Sequence, residues 1–146
     1  MQITHIIPTL DQAYGGPVTS LCGFTQAVQR QGIRNSIFAT LRSGESVSEQ
    51  MAAATEVGVD VQTVANAHGG QRRHPELKNR LEQLIKQSDV VHLHGVWEAA
   101  HAVGADLCRR MDVPYVIRPC GMLSRYCLAQ KRLKKWAYMQ LRLKKM

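Results

Sequence analysis

Two histidines one residue apart, in "DVVHLHGVWE" (89–98), have the widest chemical range of any side chains in this sequence. His92 and His94 share a face of the strand they sit on, because strand side chains repeat every two residues. Such a pair can ligate a metal, take part in acid–base chemistry or line a sheet edge. A metal needs further ligands. None stands at a recognisable spacing, so no metal site is expected. His92 lies inside the strand and is expected to be a satisfied core residue. His94 is the last residue before Gly95, so its ring is expected to project into a crevice. There it can meet a hydroxyl, a phosphate or a carbonyl, with a charge tunable near neutral pH.

Other residues join this list. Gly15 and Gly16, before Pro17, lie between a first strand and a first helix. A glycine pair there lets a ligand approach the backbone, and the helix start favours an anion such as a phosphate. The same residues also make a plain tight turn into a helix with proline in its first turn. They form neither G-x-G-x-x-G nor a P-loop. Trp97 either packs or forms an apolar wall, and Glu98 is electrostatically comfortable near a helix start without any function. Arg118 closes a strand, where it can bind a phosphate or carboxylate bidentately or be solvated. Gly121 suggests a turn needing positive φ or close approach.

The elements that must position these residues follow from hydrophobic periodicity. Strands are expected over 2–8, 34–40, 59–65, the start of 89–98, and 113–119. Helices are expected over 17–31, 47–57, 75–87 and 98–111, with a basic helix over 128–146. The alternation predicts one Rossmann-like α/β domain, 1–146, with a mainly parallel sheet between two helical layers. Ligands in such sheets sit outside the carboxyl ends of the strands, where strand order reverses. The loops "YGGP", "HGGQRR", "HGVWE" and "RPCGML" fall at that end.

With 146 residues, 45% of them hydrophobic and 21% charged, the chain is a globular domain rather than a disordered one. No apolar run approaches the ~20 residues of a spanning helix, and no signal peptide is legible, so a cytoplasmic location is expected. The four cysteines form no C-x-x-C pair and are expected to be reduced. All eleven acids lie before residue 113, whereas 113–146 carry nine Lys and Arg and no acid, so the excess of +8 belongs to the C-terminal quarter. There Leu133, Trp136, Ala137 and Leu141 share one side, and Lys131, Lys134, Lys135, Lys144 and Lys145 lie elsewhere. Such a helix can lie on an anionic membrane, with Lys131, Lys134, Lys135 and Trp136 facing it. Equally, it can pack on the core with a solvated lysine face. No nucleic-acid module signature accompanies the charge.

Together, "ITHIIPTLDQAYGGPVTSL", "DVVHLHGVWE" and "PYVIRPCGMLSRYCLAQKRLKKWAYMQLRLKK" resemble the N-terminal domain of group 1 (family 4) glycosyltransferases of the GT-B fold. The resemblance implies retaining transfer of a sugar from a nucleotide-sugar to a glycan or lipid-linked acceptor, as in polysaccharide biosynthesis, without cofactor or metal. By position, Gly15 and Gly16 would approach the donor phosphates or the transferred sugar, and His94 would be the catalytic-side residue facing the reacting sugar. Trp97, Glu98, Arg118 and Gly121 would line the acceptor side.

Two departures qualify the resemblance. Cys120 stands where an arginine is common, and the family's E-x7-E motif, carried on a second domain, has no counterpart in these residues. A truncated domain is therefore expected, inactive alone and open at a sheet edge through which it can self-associate. Two other classes compete: a non-enzymatic basic module binding membrane or nucleic acid, and a free-standing small nucleotide-binding protein.

Overall fold

In a computed structural model the chain is described over residues 1–68 and 73–141. Five strands form one sheet: β1 (Gln2–Ile7), β2 (Arg34–Thr40), β3 (Asp60–Val64), β4 (Val90–His94) and β5 (Tyr115–Arg118). All neighbours are parallel, in the order β3-β2-β1-β4-β5. The helices are α1 (Gly16–Arg30), α2 (Gln50–Glu56), α3 (Leu77–Ile85), α4 (Ala99–Arg110), α5 (Arg125–Ala129) and α6 (Arg132–Leu141). This is the Rossmann-like architecture expected from the alternation, with sequence-derived ends within about three residues of those observed through β5. Among the described residues no helix is long and apolar enough to cross a membrane.

Each face of the sheet buries its own core. Ile7, Ile37 and Ala39 pack beneath α1 and α2, against Val18, Leu21, Met51 and Ala54. Ile6, Phe38, Val91 and Leu93 pack on the other face, against Leu81 and Ile85 of α3 and Ala105 and Leu107 of α4. Removing the larger of these side chains (Ile, Leu, Val, Phe and Met) from water stabilises the fold by roughly 1.5–3 kcal/mol each. α4 approaches β1 closely because Gly104 faces it: a Cβ there would stand 2.7 Å from Ile6 Cδ1.

Strand order reverses between β1 and β4, and the carboxyl ends of these two strands are where a ligand crevice is expected in this class of sheet. β1 and β4 are themselves neighbours, in a register that sets His5 beside His92. Gly15 precedes α1 with φ +75°, a conformation that suits glycine, and a Cβ at Gly15 or Gly16 would meet nothing within 4 Å.

The C-terminal stretch departs from expectation. The single basic helix over 128–146 is divided, because Gln130 is extended and Lys131 takes a left-handed φ of 54°, ending α5 before α6 begins. Ser124 caps α5 by accepting from the Cys127 N–H. α6 leaves Leu133 and Trp136 85% and 58% exposed, so its apolar stripe does not pack on the core. Lys144 and Lys145 lie outside the described residues, as do 69–72 of the "HGGQRR" loop, whose ends His68 and Arg73 pair as an antiparallel bridge.

Candidate functional site

Three histidines meet under α1. Strand alternation puts His92 and His94 on the α1 face of β4, and the β1–β4 register brings His5 to the same face. The ring centroids of His92 and His94 are 4.0 Å apart, and those of His5 and His94 are 5.4 Å apart. Phe24 of α1 stands edge-on to both His5 and His92. His5 Nδ1 lies 3.1 Å from His94 Nε2, and His5 Nε2 lies 3.1 Å from Asn35 Oδ1 on β2.

The expected burial of the pair is reversed. His94 is 1% exposed, whereas His92 is half-buried. The His92 ring overlies that of His94. β5 beyond it is an edge strand whose Val116 is exposed, which leaves His92 partly open on that side. Nor is the charge of His94 poised near neutrality. Burial first, then the charges of His92, His5, Arg118 and His101, push its pKa to about 2. Burial takes His5 down to about 4, against the opposing Asn35 hydrogen bond, and it also lowers His92, with Arg118 adding to the effect. The cluster is neutral at physiological pH.

His101 of α4 completes this wall. It is wholly buried, its pKa is held at about 4 by that burial, and neither ring nitrogen has a well-formed hydrogen bond. Gly95 makes room for it. The backbone there takes φ +127°, and a Cβ would lie 2.7 Å from His101 Cε1.

Arg118, at the exposed end of β5, donates from Nη1 to Ser20 Oγ of α1 at 3.0 Å. It therefore reaches over the end of β4 toward the helix that Gly15 and Gly16 begin. The turn after it carries two left-handed residues, Cys120 (φ 51°) and Gly121 (φ 77°), closed by the Met122 N–H donating to the Pro119 carbonyl. The Cys120 thiol faces the Arg118 carbonyl, and burial raises its pKa. All four cysteines are free thiols, Cys22 and Cys108 buried and the other two half-buried.

Trp97 is used in packing. Its ring meets Tyr138 of α6 edge-on, and Lys135 Nζ sits 5.4 Å from its centroid while also donating to the Cys127 carbonyl. Lys135 is thus turned inward, whereas Lys131, Lys134 and Trp136 are exposed. Glu98 is the residue before α4, half-buried, with no side-chain capping bond. A groove of about 880 Å³ runs between α3, α4 and α6, floored by Leu77, Val103 and Leu107, and none of the three clustered histidines lines it.

Among the described residues one group has metal-binding spacing: nitrogens of His5, His92 and His94 lie within 4.8 Å of one another. Zinc at Zn–N of about 2.0–2.1 Å holds its nitrogens about 3.3 Å apart, a spacing that His5 and His94 approach. Two features oppose it. The His5–His94 line is already a hydrogen bond, and the Arg118 guanidinium presses its charge on His92 and His94.

His5, Asn35, His101 and Ser20 were not among the residues that the sequence singled out. The available signal was a histidine inside a strand otherwise apolar at its core, "THII".

Residues 15–144 match the family model described as a glycosyl transferase 4-like domain. The match runs from the Gly-Gly-Pro turn through α6 and includes His92, His94 and Arg118. His5 and the rest of β1 precede it. No curated protein matches the sequence.

Proposed function

Because the chain belongs to the glycosyl transferase 4-like family, we propose that it forms the acceptor-side domain of a retaining, metal-independent transferase. That enzyme moves a sugar from a nucleotide-sugar to a glycan or lipid-linked acceptor. The observation that carries this reading is the Arg118–Ser20 contact beside open backbone at Gly15 and Gly16, at the strand-order reversal. A guanidinium at this place can take a phosphate or carboxylate in a fork of two hydrogen bonds. Gly15 and Gly16 would let the donor's phosphates approach the start of α1. Arg118 and Gly121 would border the acceptor, and His94 would lie beneath the reacting sugar. The packing of Trp97 against α6 supports only an indirect role for it.

These residues supply one wall of a crevice. Transfer needs the donor enclosed and oriented in a preorganised site, which requires a second, donor-binding domain. Residues 1–146 by themselves would transfer no sugar. The test is transfer of labelled sugar from a nucleotide-sugar to an oligosaccharide, by the purified chain alone and with a family donor-binding domain supplied. Transfer only in the second case supports the proposal, and transfer by the chain alone contradicts it.

A peripheral membrane contact is a second reading, favoured by one observation. Leu133 and Trp136 are exposed on α6 among the basic side chains Lys131 and Lys134. Such a surface suits an anionic bilayer and, with it, a lipid-linked acceptor. Sedimentation with anionic but not neutral vesicles supports this reading, and no sedimentation with either contradicts it.

A further inference from the structure

Main-chain groups, whose donor and acceptor roles are never in question, fix the direction of the hydrogen bonds that lead to His5. Gln29 donates from Nε2 to the Gly58 carbonyl and accepts at Oε1 from the Asn35 N–H, so its amide has one orientation. Asn35 then donates from Nδ2 to Gln29 Oε1 at 3.2 Å and to the Ile33 carbonyl at 2.7 Å. Both of its amide hydrogens are committed, and Oδ1 is left to face His5 Nε2. An oxygen accepts, so His5 Nε2 carries the proton.

The consequence passes along the chain. His5 is neutral at pH 7 because burial holds its pKa near 4. With its proton on Nε2, its Nδ1 is a bare lone pair. The atom opposite, His94 Nε2 at 3.1 Å, must therefore donate. His94 is neutral too, so its own Nδ1 is bare. Among the described residues that nitrogen has no hydrogen-bond partner, on a side chain only 1% exposed. Burying an unpaired acceptor is costly, and a buried polar group left in that state is the kind that a ligand satisfies.

We propose that Asn35 and His5 are positioning residues, which hold His94 as its Nε2–H tautomer and so present Nδ1 as an acceptor for a ligand hydroxyl. A lone pair accepts from O–H and repels the oxygens of phosphate or carboxylate, so this position selects a neutral polyol group rather than an anion. Bulk water does not reach the nitrogen, so the hydroxyl arrives with a ligand that opens the packing at the end of β4. That the hydroxyl belongs to a sugar rests on the glycosyl-transfer reading, whereas the tautomer does not.

The test is the nitrogen spectrum of the full chain with ¹⁵N-labelled histidine at pH 7, where long-range proton couplings distinguish the two ring nitrogens. His5 and His94 should each be protonated at Nε2 and bare at Nδ1. Asn35→Ala should release His5 to turn over and raise the Nδ1–H form of His94, although residue 35 does not touch residue 94. Added inorganic phosphate should leave Nδ1 of His94 unprotonated. Finding His94 protonated at Nδ1 in the unaltered chain overturns the proposal, as does a folded Asn35→Ala variant with unchanged His94 signals. Protonation of that nitrogen by phosphate overturns the hydroxyl assignment. If Asn35→Ala does not fold, the unaltered chain decides alone. None of these outcomes depends on a transferase assay, so failure of the sugar-transfer reading is seen separately.

Discussion

Arg118 and Ser20, 98 residues apart, are joined by a 3.0 Å hydrogen bond from Nη1 to Oγ that links the end of β5 to the first turns of α1. The bond spans the place where strand order reverses, and it is exposed, so it orients the guanidinium more than it stabilises the fold. Arg118→Ala should change unfolding free energy by no more than about 0.5 kcal/mol. It should weaken binding of an anionic or polyhydroxylated acceptor by about 10- to 100-fold, the range of a lost charge-assisted hydrogen bond. Arg118→Lys should recover only part of that, because an ammonium lacks the fork. Calorimetric titration of the folded variants checks both, and acceptor affinity unchanged in Arg118→Ala contradicts the assignment.

Glycines around the site should differ sharply in tolerance. Gly95→Ala combines φ +127° with a Cβ 2.7 Å from His101 Cε1, so it should destabilise by about 2–4 kcal/mol. Gly121→Ala, at φ +77° with open space around it, should cost about 1–2 kcal/mol. Gly16→Ala should be nearly neutral for stability while hindering any ligand that approaches the backbone there. Urea midpoints order the three, and equal midpoints for Gly95→Ala and Gly16→Ala contradict the packing described.

Stability should fall with acidity well before the carboxylates titrate. His5 and His101 have folded pKa values near 4 and His94 near 2, all below the ordinary 6.5. Below pH 6.5 the unfolded chain takes up protons that the native chain refuses, so the unfolding free energy drops as pH falls. The contribution is fully present above pH 6.5. It is lost down to about 4 for His5 and His101, and further for His94. Each group adds a slope of up to about 1.4 kcal/mol per pH unit in that window. Urea midpoints at pH 7.5, 6 and 5 should decline steadily, and a flat series contradicts the buried neutral cluster.

Zinc should not occupy the three histidines. The proton shared between His94 Nε2 and His5 Nδ1 stands where the metal would coordinate, and Arg118 adds repulsion. A twofold excess of Zn²⁺ should leave the ring spectra of His5, His92 and His94 unchanged. Stoichiometric uptake that shifts all three rings contradicts the hydrogen-bonded arrangement.

Much of this fold was legible because its signals are local. "RNSIFAT" is the strand Arg34–Thr40 as read, bounded by Gly32 before it and a polar loop after it. The helices with clear apolar stripes, α1 and α4, also fell in place. The site was less legible because its geometry is set between strands. His5 lies 89 residues from His94, and only the β1–β4 register makes them neighbours. Which of His92 and His94 is covered depends on the stacking of one ring over the other and on the uncovered edge at β5, which periodicity within β4 does not reveal. The break before α6 had no proline or glycine to announce it, since Lys131 supplies the left-handed turn.

Saturation-transfer NMR on the purified chain, with an oligosaccharide and a nucleotide-sugar in the same tube, tests the acceptor-side assignment most directly. Saturation should pass to the oligosaccharide, disappear in a folded Arg118→Ala variant, and reach the nucleotide-sugar only weakly. Saturation of the nucleotide-sugar alone, or oligosaccharide signals that survive Arg118→Ala unchanged, would contradict it.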